Sequence, residues 1–242
     1  MTKKYDFSGL KALFINCTLK KSPEPSNTEI LADISMNIMK KNGVEVESIR
    51  AIDHAIATGI QPDMRSRGWE SDAWPDIYQK KVKPADILVL CGPIWLGDNS
   101  SVVKMVIERL YAMSANLNDK GQSEFYGKAG GCLITGNEDG IKHCAMDVLY
   151  SLQHIGYTIP PQADAGWIGE AGPGASYGDK QNGGSRAGFD NDFTNQNTTI
   201  MSWNLMHLAR LLKDNGGLPC EGNDRGAWAD GQRFGFEKPK DS

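Results

Sequence analysis

Hydrophobic residues are grouped along the chain in two ways, and the first predicts strands. Runs that are nearly continuous in apolar residues occur at positions 10–16, 86–94 and 129–136. Such runs are typical of strands that are covered on both faces of a parallel sheet. Two weaker runs, at positions 44–51 and 157–168, bring the number of predicted strands to five.

Helical periodicity separates these strands. Apolar residues recur three and four positions apart, which predicts amphipathic helices at residues 28–42, 100–117, 141–155 and 198–213. Strands that alternate with helices predict an α/β fold, with a doubly wound, five-stranded parallel sheet and helices on both faces. In that fold, ligand-binding loops lie together at the carboxyl ends of the strands.

Two long segments show neither strand-like apolar runs nor helical periodicity. Residues 52–84 and residues 169–197 are predicted to be irregular, and loops of such length are usually functional or disordered. The sequence after Pro219 also has little periodicity. We therefore expect one domain over residues 1–218, followed by an irregular C-terminal arm over residues 219–242.

Composition narrows the range of partners. The formal net charge of -4 offers no electrostatic footprint for nucleic acid or an anionic membrane, and no apolar run is long enough to span a bilayer. We expect a cytoplasmic protein. The five cysteines and four histidines are scattered without metal-ligand spacing, so no protein-bound metal is predicted and the cysteines are expected to be reduced thiols.

Candidate chemistry begins in the loop after the first strand. This loop carries Thr18, Lys20, Ser26, Asn27 and Thr28, and a helix begins at its end. Free backbone N–H groups and the positive end of the helix dipole favour an anion there, and a phosphate group fits the hydroxyls and the lysine. The loop has neither G-x-G-x-x-G nor GK[ST], which argues against a dinucleotide-type or triphosphate loop. The alternative is that Ser26 or Asn27 only caps the helix.

The loop after the third strand offers an aromatic surface. Its sequence places Pro93, Ile94, Trp95, Leu96 and Gly97 at the predicted sheet edge. The ring of Trp95 is suited to stacking on a flat heterocycle, whereas the alternative is that it packs into the core.

The loop after the fourth strand is a tight polar turn. Thr135, Gly136, Asn137, Glu138 and Gly140 lie at this turn, which opens a helix and offers backbone donors to the polar edge of a ring. A plain helix cap is the alternative reading of this turn.

Taken together, the three loops resemble those of a known family. The residues that carry the resemblance most specifically lie between the third strand and its helix: Pro93, Trp95, Gly97, Ser100, Ser101, Lys104, Glu108 and Arg109. Over residues 9–215 the chain resembles the flavodoxin-like NAD(P)H-dependent FMN reductases, especially the branch that includes iron–sulfur flavoproteins. The closely spaced cysteines of that branch are missing between the second and third strands, which implies a protein with flavin and no cluster.

The resemblance implies a cofactor and a reaction. FMN would place its phosphate in the 18–28 loop and its ring against residues 93–98 and 135–140. Tyr177, on a Gly-rich arm, would contact the ring or a bound substrate, unless it is an ordinary surface tyrosine. NAD(P)H would be the co-substrate, and the acceptor a small molecule: a quinone, a nitroaromatic, an azo compound or free flavin.

Two other functions stay open. The first is a flavodoxin-type electron carrier without its own NAD(P)H reaction, and the second is an interaction protein without turnover. The resemblance also implies a homodimer or homotetramer. Arg65, Arg67 and Arg186, on the two long loops, are candidates for contacting an NADPH phosphate, although ordinary surface positions are the simpler interpretation.

Overall fold

A parallel five-stranded sheet forms the centre of the protein. The computed structural model describes residues 5–172 and 174–239. The strands are β1 (Lys11–Asn16), β2 (Glu45–Arg50), β3 (Ile87–Trp95), the two-residue β4 (Asp98–Asn99), β5 (Ala129–Asn137) and β6 (Asp164–Gly169). The parallel strands are ordered β2-β1-β3-β5-β6, and β4 pairs antiparallel with the end of β3. This order has a switch point between β1 and β3, so the predicted flavodoxin-like fold class is confirmed.

Helices cover both faces of the sheet. One face packs against α1 and α5, and the other against α2, α3 and α4. The helices are α1 (Asn27–Lys41), α2 (Trp74–Ile77), α3 (Ser101–Tyr111), α4 (Ile141–Ile155) and α5 (Asp192–Asp214). Successive side chains of β1 point into the two layers in turn. Leu13 and Ile15 lie in one buried cluster, and Ala12 and Phe14 lie in the other.

Three predicted boundaries are wrong, for identifiable reasons. The helix predicted at 100–117 ends at Tyr111, because the Asn118 side chain accepts from the amides of Lys120 and Gln122 and so forms a turn that competes with a helix. The strand predicted at 157–168 begins only at Asp164, since Pro160 and Pro161 have no N–H to donate to a ladder.

The third boundary is the start of the last helix. It begins at Asp192 and not at residue 198, so the segment predicted to be irregular over 169–197 ends six residues earlier. The side chain of Asn191 caps the helix by accepting from the amide of Thr194, and the Thr194 hydroxyl donates to the carbonyl of Gly166. Apart from the exposed Phe193, residues 192–197 are polar, so apolar periodicity could not reveal this start.

The prediction that residues 52–84 are irregular is wrong in part. The segment contains 3₁₀ turns at Ala51–Asp53 and Met64–Arg67, then α2, which continues as a π-helical turn over Tyr78–Val82. A fully buried ion pair between Arg109 of α3 and Asp72 organises it, with 2.7 Å between Nη2 and Oδ2. The same guanidinium donates to three backbone carbonyls of the segment, those of Gly59, Gln61 and Pro62.

The C-terminal arm begins on the surface of the domain. The side-chain amide of Gln122 donates to the carbonyls of Leu218 and Pro219, and a short helix, α6, follows at Arg225–Ala229. The predicted arm runs to residue 242, and its residues 240–242 lie outside the described residues. The division at residue 218 stays a prediction.

Candidate functional site

A cavity of about 500 Å³ lies at the carboxyl edge of the sheet. Its walls are the loop after β1, the β3–β4 hairpin, the end of β5 and the segment after β6. The cavity brings together every residue predicted for the site except Gly140: Thr18, Lys20, Ser26, Asn27, Thr28, Pro93, Ile94, Trp95, Leu96, Gly97, Thr135, Gly136, Asn137, Glu138 and Tyr177. It also includes residues that sequence reasoning missed: Leu19, Trp167, Gly172, Gly174 and Ser176.

The first turn of α1 supplies the anion-binding wall. The Ser26 hydroxyl accepts from the amide of Glu29 at 3.2 Å and thereby caps the helix. Within the described residues, the amides of Asn27 and Thr28 donate to no protein acceptor. Capping and anion binding are therefore compatible here, because the cap uses one orphan donor and leaves others free.

The loop before α1 is held from the end of β2. The guanidinium of Arg50 pairs with Glu29 and donates to the carbonyls of Lys20 (3.2 Å) and Glu24 (2.8 Å). Farther along the loop, the amide and hydroxyl of Ser22 both donate to Asp53. Arg50 and Asp53 were missed because nothing local marks them, and only the parallel pairing of β1 with β2 brings them to this loop.

The second wall is the tight hairpin between β3 and β4. Ile94 pairs with Asn99 and Trp95 with Asp98, so Leu96 and Gly97 form a two-residue turn with φ of 53° and 74°. Leu96 is fully exposed and Trp95 is 55% exposed. The predicted exposure of Trp95 is confirmed, and the interpretation that it packs into the core is wrong.

The third wall combines the end of β5 with the segment after β6. The Asn137 side-chain amide donates to the carbonyls of Glu170, Gly174 and Ala175, at 3.0 to 3.3 Å, and so holds that segment beside the cavity. The amide of Glu138 donates to the carbonyl of Gly169. This turn is therefore tied to the protein itself, and the Glu138 amide is not a free donor.

Buried hydroxyls join the walls beneath the cavity. The hydroxyls of Thr28 and Thr135 lie 2.7 Å apart, which links α1 to the end of β5. The Ser100 hydroxyl caps α3 and donates to the carbonyl of Cys17, at 2.9 Å, which links α3 to the end of β1. The two contacts join residues that are 107 and 83 positions apart in the sequence, so distant segments are fixed to one another at and near the cavity.

Two predicted positions differ from expectation. Gly140 lies behind the wall, at the start of α4 and against the backbone of Gly97. Tyr177 borders the cavity but is fully buried, with its ring against Trp167 and Phe189, and burial raises its pKa to about 12. It is neither a surface tyrosine nor the end of a freely placed arm. A contact of this residue with a ligand stays a prediction.

Two of the three candidate arginines on the long loops contact other groups of the protein. Arg65 forms an ion pair with Asp63, and Arg186 donates to the carbonyl of Gly178 and lies over the ring of Phe189. Arg67 borders a separate, open depression of about 420 Å³ together with Trp69. None of the three lines the cavity described above.

The residues of the cavity fit FMN. Free amides at the start of α1, the Thr18 hydroxyl and the Lys20 ammonium form a donor set suited to a phosphate dianion. Across the cavity, Trp95, Leu96 and Ile94 offer an apolar surface suited to a flat ring system. The volume lies in the range of small-molecule cofactor sites.

The described residues offer neither a membrane-spanning helix nor a cluster of metal ligands. Across residues 5–172 and 174–239, no helix is long and apolar enough to cross a membrane. No group of three or more His, Cys, Asp or Glu side chains among those residues is placed to hold a metal ion. Burial raises the pKa of the thiols of Cys17, Cys91 and Cys132, which keeps them protonated.

Comparison with known proteins points in the same direction. A family model described as NADPH-dependent FMN reductase matches residues 10–168. The 8-demethyl-8-aminoriboflavin-5'-phosphate synthase of Streptomyces davaonensis is 37% identical over 211 residues, which are 85% of this chain and 79% of that protein. A protein of Mycobacterium bovis, described as the divalent metal cation transporter MntH, is 66% identical over 207 residues. The match covers 86% of this chain but 30% of the M. bovis protein, so the chain spans less than a third of that relative.

Solved structures extend the comparison. The crystal structure of RosB with bound 8-demethyl-8-formylriboflavin-5'-phosphate is similar with a TM-score of 0.79 and 34% identity. The alignment covers 96% of this chain and 91% of RosB. An oxidoreductase of Corynebacterium diphtheriae gives a TM-score of 0.51 at 13% identity, covering 84% of this chain and 99% of that one, which bears on the fold alone.

Proposed function

Because the chain belongs to the NADPH-dependent FMN reductase family, we propose that it binds FMN and passes electrons from NADH or NADPH to a small-molecule acceptor. The acceptor class is a quinone, a nitroaromatic, an azo compound or free flavin. One observation carries the proposal: free helix-start amides and an exposed apolar hairpin line the same cavity.

The chain's own residues bind and orient. The amides of Asn27 and Thr28 and the hydroxyl of Thr18 hold the phosphate, and Lys20 adds positive charge beside them. Trp95 and Leu96 cover one face of the ring and exclude water from it. When bound, FMN supplies the redox chemistry, which consists of hydride acceptance and electron transfer.

The cavity contains few ionisable side chains, which is consistent with a reaction whose chemistry is supplied by the cofactor. Lys20, Glu138 and Tyr177 are the ionisable side chains among the described lining residues. Burial raises the pKa of Tyr177 to about 12, so this phenol keeps its proton at neutral pH. Proton exchange of the reacting groups is therefore assigned to solvent at the open side of the cavity, and no side chain is assigned as a general acid or base.

The visible spectrum of the purified protein tests this proposal. We expect an absorbing flavin, after FMN addition if necessary, that is bleached by anaerobic NADH or NADPH and recovers when a quinone is added. Reduction that requires a separate reductase would instead indicate an electron carrier. A protein that takes up no FMN would contradict both functions.

A second candidate function follows from the comparison with RosB. The two chains align over nearly their full lengths at 34% identity, and the RosB crystal holds a flavin phosphate that is altered at position 8. In this alternative, FMN is the molecule converted. Mass spectrometry of flavin recovered after aerobic incubation with FMN and an amino donor would then show an 8-formyl or 8-amino product. Unchanged FMN would favour the reductase.

A further inference from the structure

Gly140 lies at a place where two turns of the site meet backbone to backbone. A Cβ atom built on Gly140 would lie 2.5 Å from the carbonyl oxygen of Gly97, 2.7 Å from its carbonyl carbon and 2.8 Å from its Cα. Real Cβ atoms essentially never approach other atoms within 3.0 Å. All three neighbours are main-chain atoms, so no side chain can rotate out of the way.

Both turns lie on the cavity. Leu96 and Gly97 form the tip of the β3–β4 hairpin, and Glu138 belongs to the turn between β5 and α4. Both turns also depend on left-handed backbone, with φ of 74° at Gly97, 76° at Glu138 and 90° at Gly140. Conformations of this kind are tightly defined, so a displacement of one turn moves whole main-chain segments and not single side chains.

We propose that Gly140 is a positioning residue for the flavin ring. It does not line the cavity, but its missing side chain lets the 137–140 turn pack directly on the 96–97 turn, and this contact fixes the hairpin wall of the cavity relative to the wall at the end of β5. A methyl group at residue 140 would force the turns apart by enough to open the 2.5 Å approach beyond 3.0 Å. The inference rests on the proposed function, since it assumes that the flavin ring lies against these two walls.

Gly68 provides a matched control. Its φ is 88°, close to the 90° of Gly140, and a Cβ atom built there has no neighbour within 4 Å. It ends the 3₁₀ turn at Met64–Arg67 and lies outside the lining of the flavin cavity. Gly68→Ala and Gly140→Ala therefore carry a similar penalty for left-handed backbone, whereas only Gly140→Ala separates the two turns.

The experiment measures binding of FMN and of riboflavin, which lacks the phosphate, to the wild-type chain and both variants. We expect Gly140→Ala to weaken both ligands by the same factor, between about tenfold and a hundredfold, since small displacements in a site have effects of this order. We also expect a shift in the absorption maximum of the bound flavin. Gly68→Ala should bind both ligands as the wild type does.

Each outcome decides the inference. Affinities for Gly140→Ala that equal those for Gly68→Ala would overturn it, and so would a loss confined to FMN, which would place the effect at the phosphate. A Gly140→Ala chain that fails to fold while Gly68→Ala folds would also overturn it, because the contact would then serve stability and not the site. A wild-type chain that binds neither ligand would refute the proposed function itself.

Discussion

At the scale of single residues, the two aromatic side chains that are predicted to contact a ring differ in burial. Trp95 and Tyr177 were both predicted to contact a ring. Trp95 is more than half exposed at the cavity, whereas Tyr177 is fully buried in the core cluster beside Trp167. The difference has a local cause: Trp95 precedes a two-residue hairpin turn that projects from the sheet, while Tyr177 is fixed by Gly188, whose position leaves no space for a Cβ beside the ring.

Lys128 is the residue for which a pH dependence is expected. Its ammonium donates to the carbonyls of Lys83 and Ala85, and burial lowers its pKa from 10.5 to about 8. Between these pH values the unfolded chain holds a proton on this lysine that the folded chain lacks. The free energy of unfolding should therefore rise with pH across this window through Lys128.

Denaturant titrations of the wild type and Lys128→Met, repeated at several pH values, check this expectation. The stability of the wild type relative to the variant should increase from pH 8 to pH 10.5 and be constant below pH 8. Two stability curves that stay parallel across the window would contradict it.

Among the structural elements, the loop before α1 depends on β2 as much as on its own sequence. Arg50 ties two loop carbonyls and Glu29 together, and its guanidinium is largely buried. The proposed phosphate donors include the main-chain amides of Asn27 and Thr28, whose positions follow the path of the backbone that Arg50 holds.

Replacement of Arg50 should therefore affect the phosphate selectively. We expect Arg50→Met to weaken FMN binding about tenfold, the order of one charge-assisted hydrogen bond, and to leave riboflavin binding within about twofold. Arg225→Met, at an exposed arginine of α6, is the control. Equal losses for FMN and riboflavin would show that Arg50 does not act through the phosphate loop.

The segment 52–84 depends on one buried ion pair. Asp72 accepts from the amides of Ala57, Met64 and Trp74 as well as from Arg109, so its carboxylate is the centre to which the segment is tied. Removal of one partner leaves an uncompensated buried charge, which costs much more than the loss of a surface pair.

Arg109→Met should lower the free energy of unfolding by about 3–5 kcal/mol. Arg109→Met combined with Asp72→Asn should be more stable than Arg109→Met alone, because the amide oxygen still accepts hydrogen bonds and no charge stays buried. Arg65→Met, which breaks an exposed pair on the same segment, should change the unfolding free energy by at most about 1 kcal/mol. A single variant as stable as the double variant in urea would contradict this account.

For the whole molecule, a homodimer or homotetramer stays a prediction. Three tryptophans lie on or next to the two long segments and are candidates for a subunit contact. Of these, Trp74 is fully buried and Trp167 nearly so, whereas Trp69 is 46% exposed. We expect a homodimer or homotetramer that uses the surface around Trp69.

Sedimentation velocity at several concentrations checks this expectation. Trp69→Ser should shift the distribution toward the monomer, whereas Trp228→Ser, at a similarly exposed tryptophan on the C-terminal arm, should not. A wild-type chain that is monomeric throughout while holding FMN would contradict it.

Local patterns were sufficient for most of the fold and for the choice of site loops. Buried strands, helix caps and turn residues are determined within a few positions, and the rule for parallel sheets then brings the strand ends to one edge. The cavity includes every predicted site residue except Gly140 for this reason. The shifted ends of α3, β6 and α5 fall where side-chain caps, prolines or a mostly polar stretch replace apolar periodicity.

The contacts that hold the site could be seen only in the tertiary structure. Arg50 donates to the loop before α1 from more than twenty residues away, and Arg109 donates to the 59–62 backbone from 47 to 50 residues away. Gly140, which follows β5, contacts Gly97, which follows the neighbouring strand β3. Their partners are mainly backbone atoms, which look alike in every sequence. The sequence by itself therefore determined which loops line the cavity, because strand ends and helix caps are local features, and the packing of distant backbone decided how those loops are held.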